Sequence, residues 1–265
     1  QIEYALGREE AQPSIAKLRW VAFASVILLL AAGGGLLANV LTSYKTLNEN
    51  VTIINYAYYL IVMNSYGIYY TRELTLLNSE NYTSIPGDRN IYRENCINST
   101  VDIFINSHDV ITYIMTSFLS VSESNQDILS NTQILTTIIE DDYKTSTFNL
   151  TMNSAFIEAN TALFHVGHYE KGNVIPTNKD TFFYLYNSLN DVAGGLKIQA
   201  EIYLDELNVN SNRIKLIYSI TLGLILIVLF AICICVSYAY ESVAKRKESY
   251  LEVFFEIGNN VIKAS

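Results

Sequence analysis

Cysteine, proline and histidine are scarce in this chain, at three residues each of 265, and tryptophan occurs once. Each shortage excludes something. Cys96 is the only cysteine between residues 42 and 213, so no disulfide framework closes within that stretch. It reads as a buried thiol, with a bridge between two copies as the alternative. Cys233 and Cys235 stand two apart, which on a helix turns them to different faces and argues against a shared metal site. They read as small residues filling a helix interface, with reversible palmitoylation as the alternative. Few prolines leave long uninterrupted helices possible, because proline removes a backbone donor and blocks the preceding turn. Basic residues are outnumbered 17 to 26. No basic patch exists to neutralise phosphates, so nucleic acid is excluded as an expected partner. A nucleotide-binding glycine loop, a nucleophile elbow and a metal-protease helix are likewise missing, so the chain is not expected to be an enzyme or to carry a cofactor.

Charge is also absent where apolar residues concentrate. Trp20–Tyr44 and Leu216–Tyr240 hold no Asp, Glu, Lys or Arg, and each run is 25 residues long. About 20 apolar residues cross the hydrocarbon core of a bilayer as a helix. The expected organisation is a cytoplasmic segment 1–19, a transmembrane helix 20–41, an extracytoplasmic region 42–213, a second transmembrane helix 214–240 and a cytoplasmic stalk 241–265. Arg8, Lys17, Arg19, Lys245, Arg246 and Lys247 flank the runs on the terminal side, against Lys45, Arg213 and Lys215 on the loop side. By the positive-inside rule both termini are cytoplasmic. With no charge inside either run, an ion or proton pathway through these two helices alone is not expected. The first run is too long for the apolar core of a secretory signal. The chain opens on Gln1 and reads as part of a longer polypeptide.

The acidity is concentrated between the runs. Residues 42–213 hold 19 Asp and Glu against 9 Lys and Arg, and the remainder 7 against 8. The apolar residues of this region recur at helical spacing. Leu47, Val51, Ile54, Tyr58, Ile61 and Ile68 extend the first run as one helix to about Leu77, and Asn78–Asp88 reads as a turn. Ile97, Val101, Phe104, His108, Ile111, Met115 and Phe118 form a second stripe, broken at Ser122–Asn125. A third helix is expected over Asp127–Ile139, and a shorter one through Phe156, Ala159, Leu163 and Val166, followed by a loop at Lys171–Asn178. The last stripe, Phe182, Leu185, Leu189, Val192, Leu196, Ala200, Tyr203 and Leu207, feeds the second run with only Gly194-Gly195 to interrupt it. The fold class is therefore all-α: two transmembrane helices flanking an antiparallel bundle of about four helices. Beyond the second run, Leu251, Phe254 and Phe255 alternate with Glu248, Glu252 and Glu256 as on an amphipathic helix.

Sequons for glycosylation occur at Asn50, Asn81, Asn98 and Asn149, all in the expected exterior region. Its content of Asn, Ser and Thr gives about four such motifs by chance, so their number carries no weight. His165 and His168, with Glu170 nearby, have the spacing of a partial metal site but lack further ligands, and read as structural or exposed. His108 reads as a hydrogen-bonded core histidine, with a pH-sensitive role as the alternative. Glu140-Asp141-Asp142 reads as a solvated turn rather than a calcium loop. Gly33-Gly34-Gly35 suits close approach of a neighbouring helix in lipid.

Gly7-Arg8-Glu9-Glu10, Tyr186-Asn187-Ser188-Leu189-Asn190 and Ser249–Lys263 resemble segments of the large multi-span membrane proteins of ciliates and other protists known as tiny macrocysts protein B-like. Many members of that family carry PAS sensor domains. The resemblance implies that this chain is one span–ectodomain–span unit of a larger protein in a plasma or ciliary membrane; no PAS domain is recognisable in these residues. The expected role is a membrane-anchored sensor or signal-transmitting module, and the alternative is a structural subunit of a surface assembly. The expected partners are the lipid bilayer and further copies or other membrane subunits.

Overall fold

The computed structural model describes residues 8–79, 87–117, 121–170 and 172–264. Among them run helices α1 (Arg8–Asn78), α2 (Arg89–Thr116) and α3 (Glu123–Asn131), strands β1 (Gln133–Ile139) and β2 (Thr145–Thr151), and helices α4 (Met152–His168), α5 (Lys179–Leu189) and α6 (Asp191–Ala264). Asn81, Phe118 and Lys171, which figure in the sequence expectations, lie outside the described residues, as does Gly7 of the first resembling segment. The chain divides into two compact units: residues 1–45 with 212–265, and residues 46–211.

In the first unit the helical segments keep their apolar side chains exposed, among them Trp20, Leu30, Leu37, Ile227 and Phe230. The most apolar windows of α1 and α6 have mean hydropathy 2.3 and 3.0, and none of their residues is buried. At 1.5 Å per residue a 25-residue run spans roughly 37 Å, longer than the hydrocarbon core of a bilayer. Two small hydroxyl side chains on these segments bond within their own helix: Ser25 donates to Val21 O (2.7 Å) and Thr221 to Ile217 O (2.8 Å). That removes polar groups from an otherwise apolar surface. A Cβ added at Gly33, Gly34 or Gly35 meets no atom within 4 Å, so no described part of this chain makes the close approach those glycines suggested.

The second unit has one main core. Helix α4 contributes Met152, Ala155, Phe156, Ala159, Ala162 and Leu163, and around it lie Ile53, Ala57 and Leu60 of α1, Ile103, Val110 and Ile114 of α2, and Val192, Leu196 and Ala200 of α6. A smaller cluster joins Leu74 and Leu77 of α1 to Cys96, Val166 and Val174. Cys96 is a buried free thiol. The C-terminus of α1 is closed by arginines from α2: Arg89 and Arg93 both donate to Leu77 O, Arg93 at 3.1 Å. Basic side chains thus satisfy a carbonyl that the end of α1 leaves free.

The stripes of α1 and α2 are rotated by about one residue from their sequence expectation. In α2 the buried positions are Arg93, Cys96, Thr100, Ile103, Ser107, Val110 and Ile114; His108 is exposed instead of sitting in the core. In α1 Val51 and Tyr58 are exposed, while Ala57, Gly67 and Thr71 face inward. Small residues at the buried face bring backbones close together, and larger apolar side chains flank the contact. Gly67 shows how close: a Cβ there would collide with the Tyr184 hydroxyl and lie 2.9 Å from its Cζ.

The all-helical expectation holds broadly and is amended by one hairpin. The helix expected over Asp127–Ile139 ends at Asn131, and β1 follows, paired antiparallel with β2 from Gln133↔Thr151 to Ile139↔Thr145. Ile134, Thr136, Thr137, Ile138 and Ile139 are β-branched, lose side-chain freedom in a helix and pack well on a pleated face. A second amendment concerns the last stripe. It is cut at Asn190 (φ −109°, ψ −99°), which separates α5 from α6, while Gly194 and Gly195 lie inside α6. Gly195 lets α6 lie close to the hairpin, where a Cβ would press on the end of the Ile134 side chain.

Two buried polar residues lock these parts. Asn187 of α5 accepts from Thr137 N (2.7 Å) and donates to Thr137 O (2.8 Å), so its amide replaces a strand on the outer edge of β1. Glu206 of α6 accepts from Ser122 Oγ and Asn125 Nδ2, both at 2.7 Å, which places a carboxylate at the N-terminus of α3.

Two outcomes are expected from denaturation of the full chain followed by circular dichroism. Gly67→Ala lowers stability by about 1–3 kcal/mol through overpacking, and lowers it less in a Tyr184→Phe background that lacks the colliding hydroxyl. Asn187→Leu lowers it by about 2–4 kcal/mol because both Thr137 backbone groups lose their partner. Asn187→Asp, which retains only the acceptor, falls between.

Candidate functional site

The acidic triplet Glu140-Asp141-Asp142 forms the tip of the hairpin. Tyr143 N donates to Glu140 O (2.9 Å) and Glu140 N to Lys144 O (2.8 Å), closing a short loop in which Tyr143 takes φ 63°. That left-handed conformation is strained for a residue bearing a Cβ. Asp142 is held on the loop by the Lys144 backbone N–H and ammonium, and the Lys144 hydrogen bonds keep its carboxyl below the ordinary aspartate range.

Beside this tip lies a cleft of about 690 Å³. The hairpin supplies Ile138, Phe148 and Leu150; α5 supplies Lys179, Asp180 and Phe183. From α4 come Glu158, Thr161, Ala162 and His165, whose spacing of three, four and seven puts them on one helix face. A cleft of this volume, apolar at the floor with converging polar groups, is the arrangement expected of a small-molecule site.

The electrostatics of the wall centre on the start of α5. Asn178 caps that helix, accepting from Asp180 N at 3.0 Å and Thr181 N at 3.4 Å, and so presents Asp180 in the first turn. The Asp180 carboxylate accepts the Tyr169 hydroxyl and lies 3.2 Å from His165 Nδ1. Burial, and then the hydrogen bond to Asp180, push the Tyr169 hydroxyl above its ordinary pKa. Lys179 reaches back to Asp141 at 2.6 Å and fastens the hairpin tip to α5. Both partners are well exposed, so this pair adds little stability. The cleft therefore holds five carboxylates, from Glu140, Asp141, Asp142, Glu158 and Asp180, against the single ammonium of Lys179.

The residues singled out from sequence fall largely elsewhere. Asn50 is buried on α1 with its Nδ2 unpartnered, a position closed to a glycan in this fold. Asn98 is exposed on α2 and Asn149 on β2; neither borders the cleft. His165 and His168 part company: His165 turns to Asp180, whereas His168 Nδ1 bonds Phe164 O (2.8 Å) and its ring packs 4.1 Å from that of Phe164. Among the described residues no three His, Cys, Asp or Glu side chains converge on a metal position. Only the acidic triplet and His165 belong to the site. Sequence reasoning missed Glu158, Asp180, Lys179 and the apolar floor. The β-branched run before the triplet and the alternation in Thr145–Thr151 were the available signal, since together they spell a hairpin.

Compared with protein-family models, curated proteins and solved structures, the chain matches none.

Asp180→Asn is expected to cost about 1–2 kcal/mol, as a charged acceptor becomes neutral. It should also lower the pH at which Tyr169 ionises. A raised tyrosine pKa gives stability that is complete below the unfolded value near 10 and lost as pH rises through the folded value. The variant should therefore narrow that alkaline window, read by ultraviolet titration of the full chain with Tyr169→Phe as the reference.

Proposed function

We propose that this chain is a two-span membrane module in which the acidic cleft of residues 46–211 takes up a ligand and the two spanning helices carry the response across the bilayer. One observation carries the reading. Helices α1 and α6 each contain an exposed apolar segment of membrane length, and the same two helices bury Ile53, Leu60, Leu196 and Tyr203 in the core that carries the cleft. An apolar surface that no described part of the chain covers is costly in water, at about 25 cal/mol per Å², and costs nothing in lipid. A helix that belongs to both environments is a physical path along which a change in packing becomes a shift, tilt or rotation. The balance of Lys and Arg around the runs supports cytoplasmic termini and an exterior region 42–213. Under the resemblance to the protist membrane proteins, this module is one span–ectodomain–span unit of a larger protein.

A structural role in a surface assembly is the second reading. It draws on an exposed, uncharged stripe of α1, with Val51, Tyr58, Val62, Tyr66 and Tyr69 at helical spacing, which suits packing against a neighbour.

Topology is tested with single cysteines at positions 149 and 248 in a background where Cys96, Cys233 and Cys235 are Ser. A membrane-impermeant maleimide should label position 149 on intact cells, and position 248 only after permeabilisation. Labelling of both from outside overturns the two-span reading. Signalling is tested by spin-label distances between copies at position 248 in lipid nanodiscs. A change of about 1–2 Å or more on adding a small-molecule extract supports transmission. A distance unmoved by every fraction favours the structural role.

A further inference from the structure

The cleft beside the hairpin has a chemical bias that narrows its ligand. We propose that it binds a small amphiphilic organic cation, a protonated amine carried on an apolar body. This names the ligand class of the sensing site put forward above and rests on that reading.

Size comes first. At about 690 Å³ the cleft lies within the range of small-molecule and cofactor sites. The floor comes next. Phe148 is 38 % exposed and Leu150 half-buried, although both are apolar and face the same cavity as Ile138 and Phe183. An apolar ligand body completes their burial, which is favourable in proportion to the area removed from water.

Charge decides the remainder. Of the five carboxylates in the wall, Asp141 is held by Lys179, Asp142 by Lys144, and Asp180 by Tyr169 and His165. Glu140 and Glu158 have no side-chain partner among the described residues. They stand on different elements, the hairpin tip and α4, and both border the cavity. Carboxylates around a low-dielectric floor focus a negative potential, which repels an anion and gains nothing from a neutral guest. A cation is the complement. It is not a metal ion, because no three potential ligands converge on one point among the described residues. An ammonium needs no such convergence: it has rotatable donors, can be shared between separated carboxylates and can rest over the Phe148 ring.

The test uses the full chain in nanodiscs and three probes with one body: phenethylamine, phenethyl alcohol and hydrocinnamate. Ligand-observed NMR is expected to show the amine binding with Kd of about 1 mM or tighter, at least about tenfold tighter than the alcohol, weakening as salt rises. Hydrocinnamate should not bind. A Glu140→Gln, Glu158→Gln double variant should lose about tenfold in amine affinity with its thermal unfolding unchanged, since neither side chain supports the fold through a partner. Equal binding of amine and alcohol, binding of the acid, indifference of the double variant, tighter binding of an oligolysine peptide or failure of the amine to bind each overturns the proposal. The two readings separate through the labels at position 248. Amine binding with no change of distance leaves the ligand class standing and removes the sensing role. A change elicited by the acid does the reverse.

Discussion

A strand edge must find partners for its backbone N–H and C=O groups, and a two-stranded hairpin has two such edges. In the unit of residues 46–211 the outer edge of β1 meets the Asn187 amide, which donates and accepts at Thr137 as a third strand would. That single side chain fixes the hairpin against α5 at one register. Gly195 then lets α6 lie close to Ile134, and Lys179 ties the hairpin tip to the first turn of α5. The cleft lies where the hairpin, α4 and α5 meet. Without the Asn187 contact neither the floor of Phe148 and Leu150 nor the arrangement of carboxylates around it has a reason to persist.

Close packing of small residues is the second organising feature. Ala155, Ala159 and Ala162 of α4, Thr100 and Ser107 of α2, and Ala57 and Gly67 of α1 occupy buried positions that larger apolar residues normally take. Their effect is to shorten the distance between helix backbones, at the cost of leaving Val51, Tyr58, Tyr66 and Tyr69 on the outside. Polar groups enter the core with the small residues. Thr100 bonds back to Cys96 O (2.8 Å), and Glu206 gathers Ser122 and Asn125. The Glu206 bonds join α6 to the start of α3, and being directional they fix that approach more sharply than apolar contact does.

The helices themselves were readable from periodicity. The end of α1 near Leu77, the position of α4 and the approach of α6 to its apolar run all follow from spacing and from the shortage of breakers. Three things were not readable. The rotation of the α1 and α2 stripes escaped because periodicity rewards large apolar residues, and here the buried face is rich in small ones. The hairpin escaped because a short β-branched run is ambiguous between buried helix and strand until a pairing partner is known. The break at Asn190 escaped because glycine is the usual sign of an ending, and here glycine serves close packing instead. Of the site, only the acidic triplet and His165 drew notice, each for its own chemistry, since neither the triplet's neighbours nor the floor is local in sequence.

By itself the sequence determined what depends on composition along the chain: two uncharged runs of membrane length, an acidic region between them, long helices, and no motif of nucleotide, metal or nucleophile chemistry. Those properties are additive over neighbouring residues and need no partner to be expressed. Tertiary structure decided everything that depends on pairs far apart in the chain. It set which face of each helix is buried, where a strand edge ends on a side-chain amide, and how Glu140, Glu158 and Asp180 come to surround one apolar floor. The physical reason is that burial and hydrogen-bond satisfaction are properties of contacts, and the contacts that define this cleft join the hairpin to α4 and α5.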